Sequence, residues 1–365
     1  MRVGMISPYS LSVPGGVQNQ ILSLGRALRR RGVSVRVLGP CDGPPPESFV
    51  TPLGNSVPTG ANGSIVPLAP DPSAQLRTMR ALRDEEFDIL HLHEPMAPGP
   101  TMTAMLVKPA PIVATFHAAG TSRAYRVFKP LTSRVANRID LRFAVSDDAE
   151  ALAEESLGGN FERAFNGVEA ERFRRKPAIA NPVPTILFLG RHEDRKGLSV
   201  LLDAMVGLDL SCALWIAGAG PETHELRTQY GGDNRIVWLG EIDDEEKVLR
   251  MRHADVFCAP SLRGESFGIV LLEAMAAETA VVASALSGYK KVIECPNGAL
   301  AGVLVSPGDA SELRASLREL LTSPEKRSRL VEIGSERVQA FSMARLADLY
   351  VDAYRSLLDT SFRDL

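Results

Sequence analysis

Short apolar runs alternate with amphipathic stretches along the whole chain. Val3-Gly4-Met5-Ile6 is a compact apolar run and reads as a strand. Val17 to Arg31 carries Ile21, Leu24 and Leu28 at helical spacing and reads as an amphipathic helix. Val33–Leu38, Ile89–Leu92, Ile112–Phe116 and Phe143–Val145 read as further strands, with helical patterns near Ser73–Arg83, Tyr125–Asn137 and Asp147–Ser156. The alternation restarts after Asn181-Pro182-Val183-Pro184, with strands at Thr185–Leu189, Ala213–Ala217, Ile236–Leu239, Val256–Ala259, Ala280–Ala283 and Val303–Val305. Strands alternating with helices predict βαβ units and parallel sheets covered on both faces. Ala344 to Leu358 is purely helical, with Leu346, Leu349, Tyr350, Ala353 and Leu357 as its apolar stripe. Residues 40–72, with Pro44-Pro45-Pro46, Pro52, Pro58, Pro67, Pro70 and Pro72, predict a long exposed connection.

Two α/β sets of similar length, joined near residues 168–184, predict two doubly wound domains. Ligands of such sheets sit beyond the carboxyl ends of the strands, so two facing domains would form a cleft. The 365-residue length suits two domains. Composition mainly excludes. Apolar residues at 45% and charged residues at 23% rule out a disordered chain. With 44 acidic and 41 basic residues, the chain lacks the basic excess of a dedicated nucleic-acid binder. Cys41, Cys212, Cys258 and Cys295 form no CxxC pair, so zinc-knuckle and redox motifs are missing and a reduced, cytoplasmic setting is expected. The first apolar run stops at Ser7-Pro8, too early for a secretory core. The most apolar region, Ile269 to Leu286, is interrupted by Glu273 and Glu278 and falls short of the ~20 apolar residues of a membrane span.

Several segments carry candidate chemistry. Gly15-Gly16-Val17 follows the first strand and opens the first helix, where backbone amides can meet a phosphate. It is not GxGxxG, and no P-loop GKS or GKT occurs, so a dinucleotide enzyme or P-loop NTPase loses its main support. Gly190 to Gly197 places Arg191 and Lys196 at a strand's carboxyl end, where a fork and a point charge would suit a phosphate. In Gly264 to Glu273, a loop with two glycines leads into an apolar helix that should partly bury Glu273, and a buried carboxylate needs partners. Read as one helical stretch, Glu265 and Glu273 stand about 12 Å apart. Working glycosidase carboxylates stand about 5–9.5 Å apart, so the two are expected to contact different parts of one long ligand. His117 ends a strand at the rim of the first sheet. His91 and His93 share a strand face but have no third metal ligand at useful spacing, which favours structural hydrogen bonding. Basic residues cluster in the first half at Arg26–Arg36, at Arg77, Arg80 and Arg83, and between Arg123 and Arg142 (with Arg126, Lys129, Arg134 and Arg138). Such a face would attract an anionic membrane or lipid headgroup.

Together these residues resemble the family 4 glycosyltransferases of the two-domain GT-B fold, over nearly the whole chain. The most specific match is Glu265 to Glu273 inside GESFGIVLLEAMA, followed by Gly190-Arg191…Lys196-Gly197 and Gly15-Gly16-Val17-Gln18. Lesser matches are His91-Leu92-His93-Glu94-Pro95, Phe116-His117, Asn166-Gly167-Val168 and Ala254-Asp255-Val256. Within that family the N-terminus looks most similar to bacterial phosphatidylinositol mannosyltransferases. The resemblance implies an α/β, GT-B fold with two Rossmann-like domains facing a central cleft. Residues 1–170 would form the acceptor side, 181–343 would bind the nucleotide-sugar donor, and the terminal helix 344–365 would cross back. It implies retaining transfer of a hexose, mannose from GDP-mannose, to a phosphatidylinositol-type lipid. The enzyme would need no cofactor or metal, would not touch nucleic acid, and would work at an anionic membrane surface, cytoplasmic and peripheral at the inner face.

By the same resemblance, His117, Arg191, Lys196 and Glu265 would be catalytic. Gly16, Arg191, Lys196, Phe267, Gly268, Ile269 and Glu273 would bind the donor, Glu273 through its ribose. Glu241–Asp243 would lie near the base, and Tyr9, Gln18, Arg77 and Arg80 would face the acceptor. The leaving phosphate, rather than a protein carboxylate, would accept the proton. Two residues depart from the family pattern: Glu278 stands where glycine is common, and Ser12 where the phosphatidylinositol mannosyltransferases usually carry aspartate. Alternatives are a UDP- or ADP-sugar donor with another acceptor, a nucleotide-sugar epimerase, and a non-catalytic nucleotide-sugar binder. The E-x7-E segment and the GGVQ loop speak against the epimerase. Retention of Arg191, Lys196, Glu265 and Glu273 speaks against the binder.

Overall fold

The apolar runs become parallel strands buried on both faces. Every residue of Ile89–His93, Ile112–Phe116 and Ala280–Ser284 is buried, which is why these runs are continuous rather than alternating. The computed structural model describes residues 1–61, 64–117, 136–175 and 181–361. Its chain divides into two compact units. The first comprises Met1–Gly167 and the terminal helix Met343–Ser361, and the second comprises Val168–Ser342.

The strands of the first unit are β1 Arg2–Ile6, β2 Ser34–Gly39, β3 Val50–Pro52, β4 Val57–Ala61, β5 Ser64–Leu68, β6 Ile89–His93, β7 Ile112–Phe116, β8 Leu141–Ala144 and β9 Glu162–Arg163. Among the described residues seven of them form one parallel sheet in the order β3-β2-β1-β6-β7-β8-β9, while β4 and β5 pair as an antiparallel hairpin. The second unit holds β10 Thr185–Leu189, β11 Ala213–Ala217, β12 Ile236–Gly240, β13 Val256–Ala259, β14 Ala280–Ser284 and β15 Val303–Val305. They form a parallel sheet in the order β12-β11-β10-β13-β14-β15. Both units are thus doubly wound and Rossmann-like, as the alternation predicts. In each, the strand order reverses once, between β1 and β6 and between β10 and β13. Loops leaving the carboxyl ends at such a reversal open a binding crevice.

Residues 40–72 differ from the expected plain connection. They supply β3 to the sheet edge and the β4–β5 hairpin, and they bury Phe49, Leu53 and Leu68. The terminal helix packs its stripe into the first unit: Leu346, Tyr350, Val351 and Tyr354 are buried, and Asp348 pairs with Arg31. Most of the predicted helix Tyr125–Asn137 lies outside the described residues.

Candidate functional site

In the second unit the two loops at the reversal point carry the expected cations and carboxylate. The loop after β10 holds Arg191 and Lys196, and the loop after β13 holds Glu265. Gly197 makes their meeting possible. Its φ is +66°, and a Cβ there would stand 2.1 Å from the Pro260 carbonyl oxygen, so only glycine lets the two backbones approach. Lys196 Nζ donates to Glu265 Oε1 at 2.5 Å, and Ser261 Oγ donates to the same oxygen at 3.1 Å. The Arg195 guanidinium lies 3.6 Å from that oxygen and 2.6 Å from Glu193, which lies 3.9 Å from Arg191. Opposite charges therefore run from the exposed Arg191 inward to Lys196. Tyr289 closes the site from below. Its hydroxyl meets Ser261 Oγ at 3.1 Å, and burial, then the nearby Glu265 charge, hold it protonated.

Glu265 and Glu273 do not lie on one helix. Gly264 and Gly268 adopt φ of +77° and +89°, and the helix begins only at Ile269. The 12 Å separation inferred from continuous helix is therefore replaced by a left-handed turn that sends the two carboxylates to different partners. Phe267 is buried beside this turn, and among the described residues no side chain caps the amides that open the helix at Gly268 and Ile269. Glu273 is partly buried, as its apolar neighbours imply, and its partner is Lys247: Nζ donates to Oε1 at 2.9 Å. Lys247 also lies 3.4 Å from Asp244, which lies 3.2 Å from Arg172. Burial works against the Lys247 charge, yet Glu273 and Asp244 together raise its pKa. Asp243 caps the helix Asp244–His253, accepting from the Glu246 amide at 2.8 Å.

In the first unit the loop after β1 contains Tyr9 and ends at the helix Gly16–Arg30. No side chain caps that helix among the described residues, its first turn holds no acid, and Gly16 faces open space. Amides so arranged favour an anion. Gln18 is buried with its amide against Gly15. Tyr9 is half-buried, and burial, then Glu94, raise its hydroxyl pKa. His117 lies at the end of β7, and its ring stacks at 5.3 Å on His93, which stacks at 4.4 Å on His91. His117 Nε2 and His93 Nδ1 share a hydrogen bond of 3.0 Å. His91 meets Tyr354 at 2.6 Å and Thr115 at 2.7 Å, the structural role expected of it. Burial lowers all three imidazoles, to about 3 for His91 and about 4 for His117, so the column is neutral at pH 7. The Glu94 carboxylate accepts from the His117 amide at 2.5 Å, and Glu94 itself has a left-handed φ of +49°. His93, His117, Asn166 and Gln20 line a cavity of about 10 Å³, enough for a single water.

Arg26 of the first helix pairs with Glu47, and Arg31 and Arg36 beyond it pair with Asp348 and Glu85, acids supplied from elsewhere in the chain, while Arg29 and Arg30 at its end are exposed. Arg77 donates to the Leu53 carbonyl and Ser73, and Arg80 and Arg83 both reach Asp84. Arg80 and Arg83 remain largely exposed, on the same helix as the exposed Leu76 and Met79. Arg138 and Arg142 bond backbone carbonyls. Arg123, Arg126, Lys129 and Arg134 lie outside the described residues.

Comparison with known proteins places this geometry. The family described as Glycosyltransferase Family 4 matches residues 14–172, and that described as Glycosyl transferases group 1 matches residues 169–337. The chain is 42% identical to the phosphatidyl-myo-inositol mannosyltransferase of Mycobacterium leprae, covering 98% of this chain and 97% of that one. It is 39% identical to the enzyme of the same name from Mycolicibacterium smegmatis, covering 98% and 94%. The chain belongs to the family 4 glycosyltransferases. Sucrose-phosphate synthase from Thermosynechococcus elongatus, 21% identical, superimposes with a TM-score of 0.77 over 98% of this chain and 99% of that one, which agrees on the GT-B fold.

Sequence reasoning missed four polar residues in this glycosyltransferase: Lys247, Ser261, Tyr289 and Glu94. Lys247, Glu94 and Tyr289 stand 26, 23 and 28 residues along the chain from the groups they meet, while Ser261 lies only four from Glu265. Only Glu94 carried a signal, as part of the HLHEP match. No helix among the described residues of the glycosyltransferase is long and apolar enough to cross a membrane.

Proposed function

We propose that the enzyme transfers mannose from GDP-mannose to phosphatidyl-myo-inositol, with retention at the sugar carbon, while docked on an anionic membrane surface. The observation that carries this reading is the 39–42% identity, over nearly the whole chain, to enzymes bearing that name. In this reading Arg191 and Lys196 stabilise the departing diphosphate, and Gly16 offers the donor an open amide. Preorganised charge of this kind supplies much of catalysis in dry sites. Glu265 and His117 serve the sugar, Phe267, Gly268 and Ile269 lie beside it, and Glu273 takes the ribose hydroxyls. In this reading both carboxylates bind hydroxyls, and neither acts as a nucleophile. The acceptor oxygen bonds to the sugar carbon on the same face from which the carbon–phosphate-oxygen bond breaks, its proton passes to the leaving phosphate, and configuration is preserved. The cationic side chains meet the diphosphate directly, so no resident metal is required. Tyr9, Gln18, Arg77 and Arg80 face the acceptor, and the helix carrying Leu76, Met79, Arg80 and Arg83 meets the lipid surface.

One residue favours a second reading, the same donor chemistry on another acceptor. Ser12 replaces the expected aspartate, and its hydroxyl accepts from the amides of Asp42 and Gly43 at 2.7 and 3.2 Å. The same loop cluster does hold a carboxylate, Asp42. A thermal-shift screen with GDP, UDP and ADP tests the donor, since the cognate nucleotide raises the melting temperature by binding the folded state. Transfer from GDP-mannose to phosphatidylinositol vesicles, with NMR of the product's anomeric proton, tests acceptor and stereochemistry. A UDP preference or an inverted product overturns the reading. Transfer to a soluble inositol but not to the lipid selects the second one.

A further inference from the structure

Lys247 stands outside every motif that suggested chemistry, yet it holds a carboxylate of the site. Four charges alternate through the second unit: Arg172, Asp244, Lys247 and Glu273, with successive separations of 3.2, 3.4 and 2.9 Å. Both ends of the Lys247–Glu273 pair are nearly dry, with side-chain exposures of 11% and 16%. Burying two charges costs desolvation that their attraction only roughly returns, and an apolar pair of similar volume is often as stable or more so. Stability alone therefore gives no reason for a lysine at this position. Orientation does. The lysine donates to Oε1 at 2.9 Å and so fixes the carboxylate's orientation, which leaves Oε2 to accept from hydroxyl donors.

We propose that Lys247 is the positioning residue for ribose recognition, setting the angle at which Glu273 meets the vicinal hydroxyls of a nucleoside diphosphate. The proposal rests on the reading that Glu273 binds the ribose. Arg172 and Asp244 extend the same restraint, holding the ammonium from its far side.

Calorimetric titration with GDP and with 2′,3′-dideoxy-GDP isolates this role, because the ratio of the two affinities measures ribose reading alone. The wild-type enzyme should prefer GDP by at least about tenfold, since a site built to bond hydroxyls rejects the analogue lacking them. Lys247→Met should bring the ratio to within about threefold, and Lys247→Arg should restore most of it. Lys247→Met binding both nucleotides more weakly by one common factor, with the ratio intact, overturns the proposal and leaves a structural ion pair. Should Lys247→Met fail to fold, Lys247→Ala removes the donor without adding bulk, and an unchanged ratio in it is equally decisive. Glu273→Gln separates the two levels. If it leaves the ratio at the wild-type value, the ribose reading itself falls. If it collapses the ratio while Lys247→Met does not, only the role of Lys247 falls.

Discussion

The two units bury polar side chains in opposite ways. In the first, the column of His91, His93 and His117 with Thr115, Tyr350 and Tyr354 is neutral, because burial pushes every imidazole toward its uncharged form and every phenol likewise. In the second, the polar groups are ion pairs: Lys196 with Glu265, Lys247 with Glu273, Arg195 between Glu193 and Glu265. A neutral network fixes geometry without projecting a field, whereas fixed charges at low local dielectric act strongly on a charged ligand. The second unit thus holds fixed charge, and the interior of the first holds a neutral network.

Removing the innermost cation is the strongest way to break that contrast. Lys196→Ala should lower kcat by about 10²–10³-fold, the usual cost of one preorganised group that stabilises developing charge. Circular-dichroism melting should show a folded protein, because Lys196 is a half-buried loop residue rather than part of the core. Turnover within tenfold of wild type would mean that the second unit's charges serve packing instead.

Acid probes the first unit. Near pH 7 the three histidines are neutral in both folded and unfolded chains, so they cost nothing. As pH falls through 6.5, the unfolded imidazoles bind protons that the buried ones refuse, His91 until about 3 and His117 until about 4, with His93 also held well below its ordinary value. Stability is therefore lost progressively from about pH 6.5 downward, by roughly 1 kcal/mol per histidine between pH 6 and pH 5. Urea titrations across that range should show the fall, and His91→Asn should flatten it by about one histidine's share. An equal slope in the variant would show that the column is not what refuses the proton.

The sequence made the sheets readable and the ion pairs only half so. Strands such as Ile112–Phe116 are buried on both faces, so they stand out as unbroken apolar runs. The β4–β5 hairpin is hidden by its prolines, which suit an edge pair as well as a loop. Lys196 was legible because it lies beside a strand end with Arg191. Lys247 was not, because its partner Glu273 lies 26 residues away and their meeting depends on how two helices pack. The spacing of Glu265 and Glu273 misled for a local reason: two left-handed glycines replace the expected helical turn.

On its surface, unlike its interior, the first unit presents charge, with Arg80 and Arg83 largely exposed. The wild-type enzyme should bind phosphatidylinositol vesicles at low salt and leave them at high salt, because screening shortens to about 3 Å at 1 M. Leu76→Gln combined with Arg83→Gln should weaken vesicle binding about three- to tenfold, at about 1 kcal/mol per arginine near the surface. Transfer to a short-chain soluble acceptor should be unchanged by the same pair if they act only in docking. Vesicle binding unaffected by the pair would move the contact to another face.

The smallest effect asks whether every charge in the second unit serves a ligand. Glu278 has φ of +57°, a conformation natural to glycine. Its carboxylate meets Arg252 at 2.6 Å and Arg174 at 3.6 Å. A left-handed non-glycine residue costs about 1–2 kcal/mol, and half-exposed ion pairs return about 0–1 kcal/mol. Glu278→Gly removes both terms and should leave stability within about 1 kcal/mol of wild type. Glu278→Ala keeps the strain, loses the pairs, and should be about 1 kcal/mol less stable than the glycine variant in urea melts. Neither should change kcat. A glycine variant less stable than the alanine one would refute the backbone argument. A loss of turnover in both would mean that the charge at Glu278 belongs with those at Lys196 and Glu265 rather than with the turn it closes.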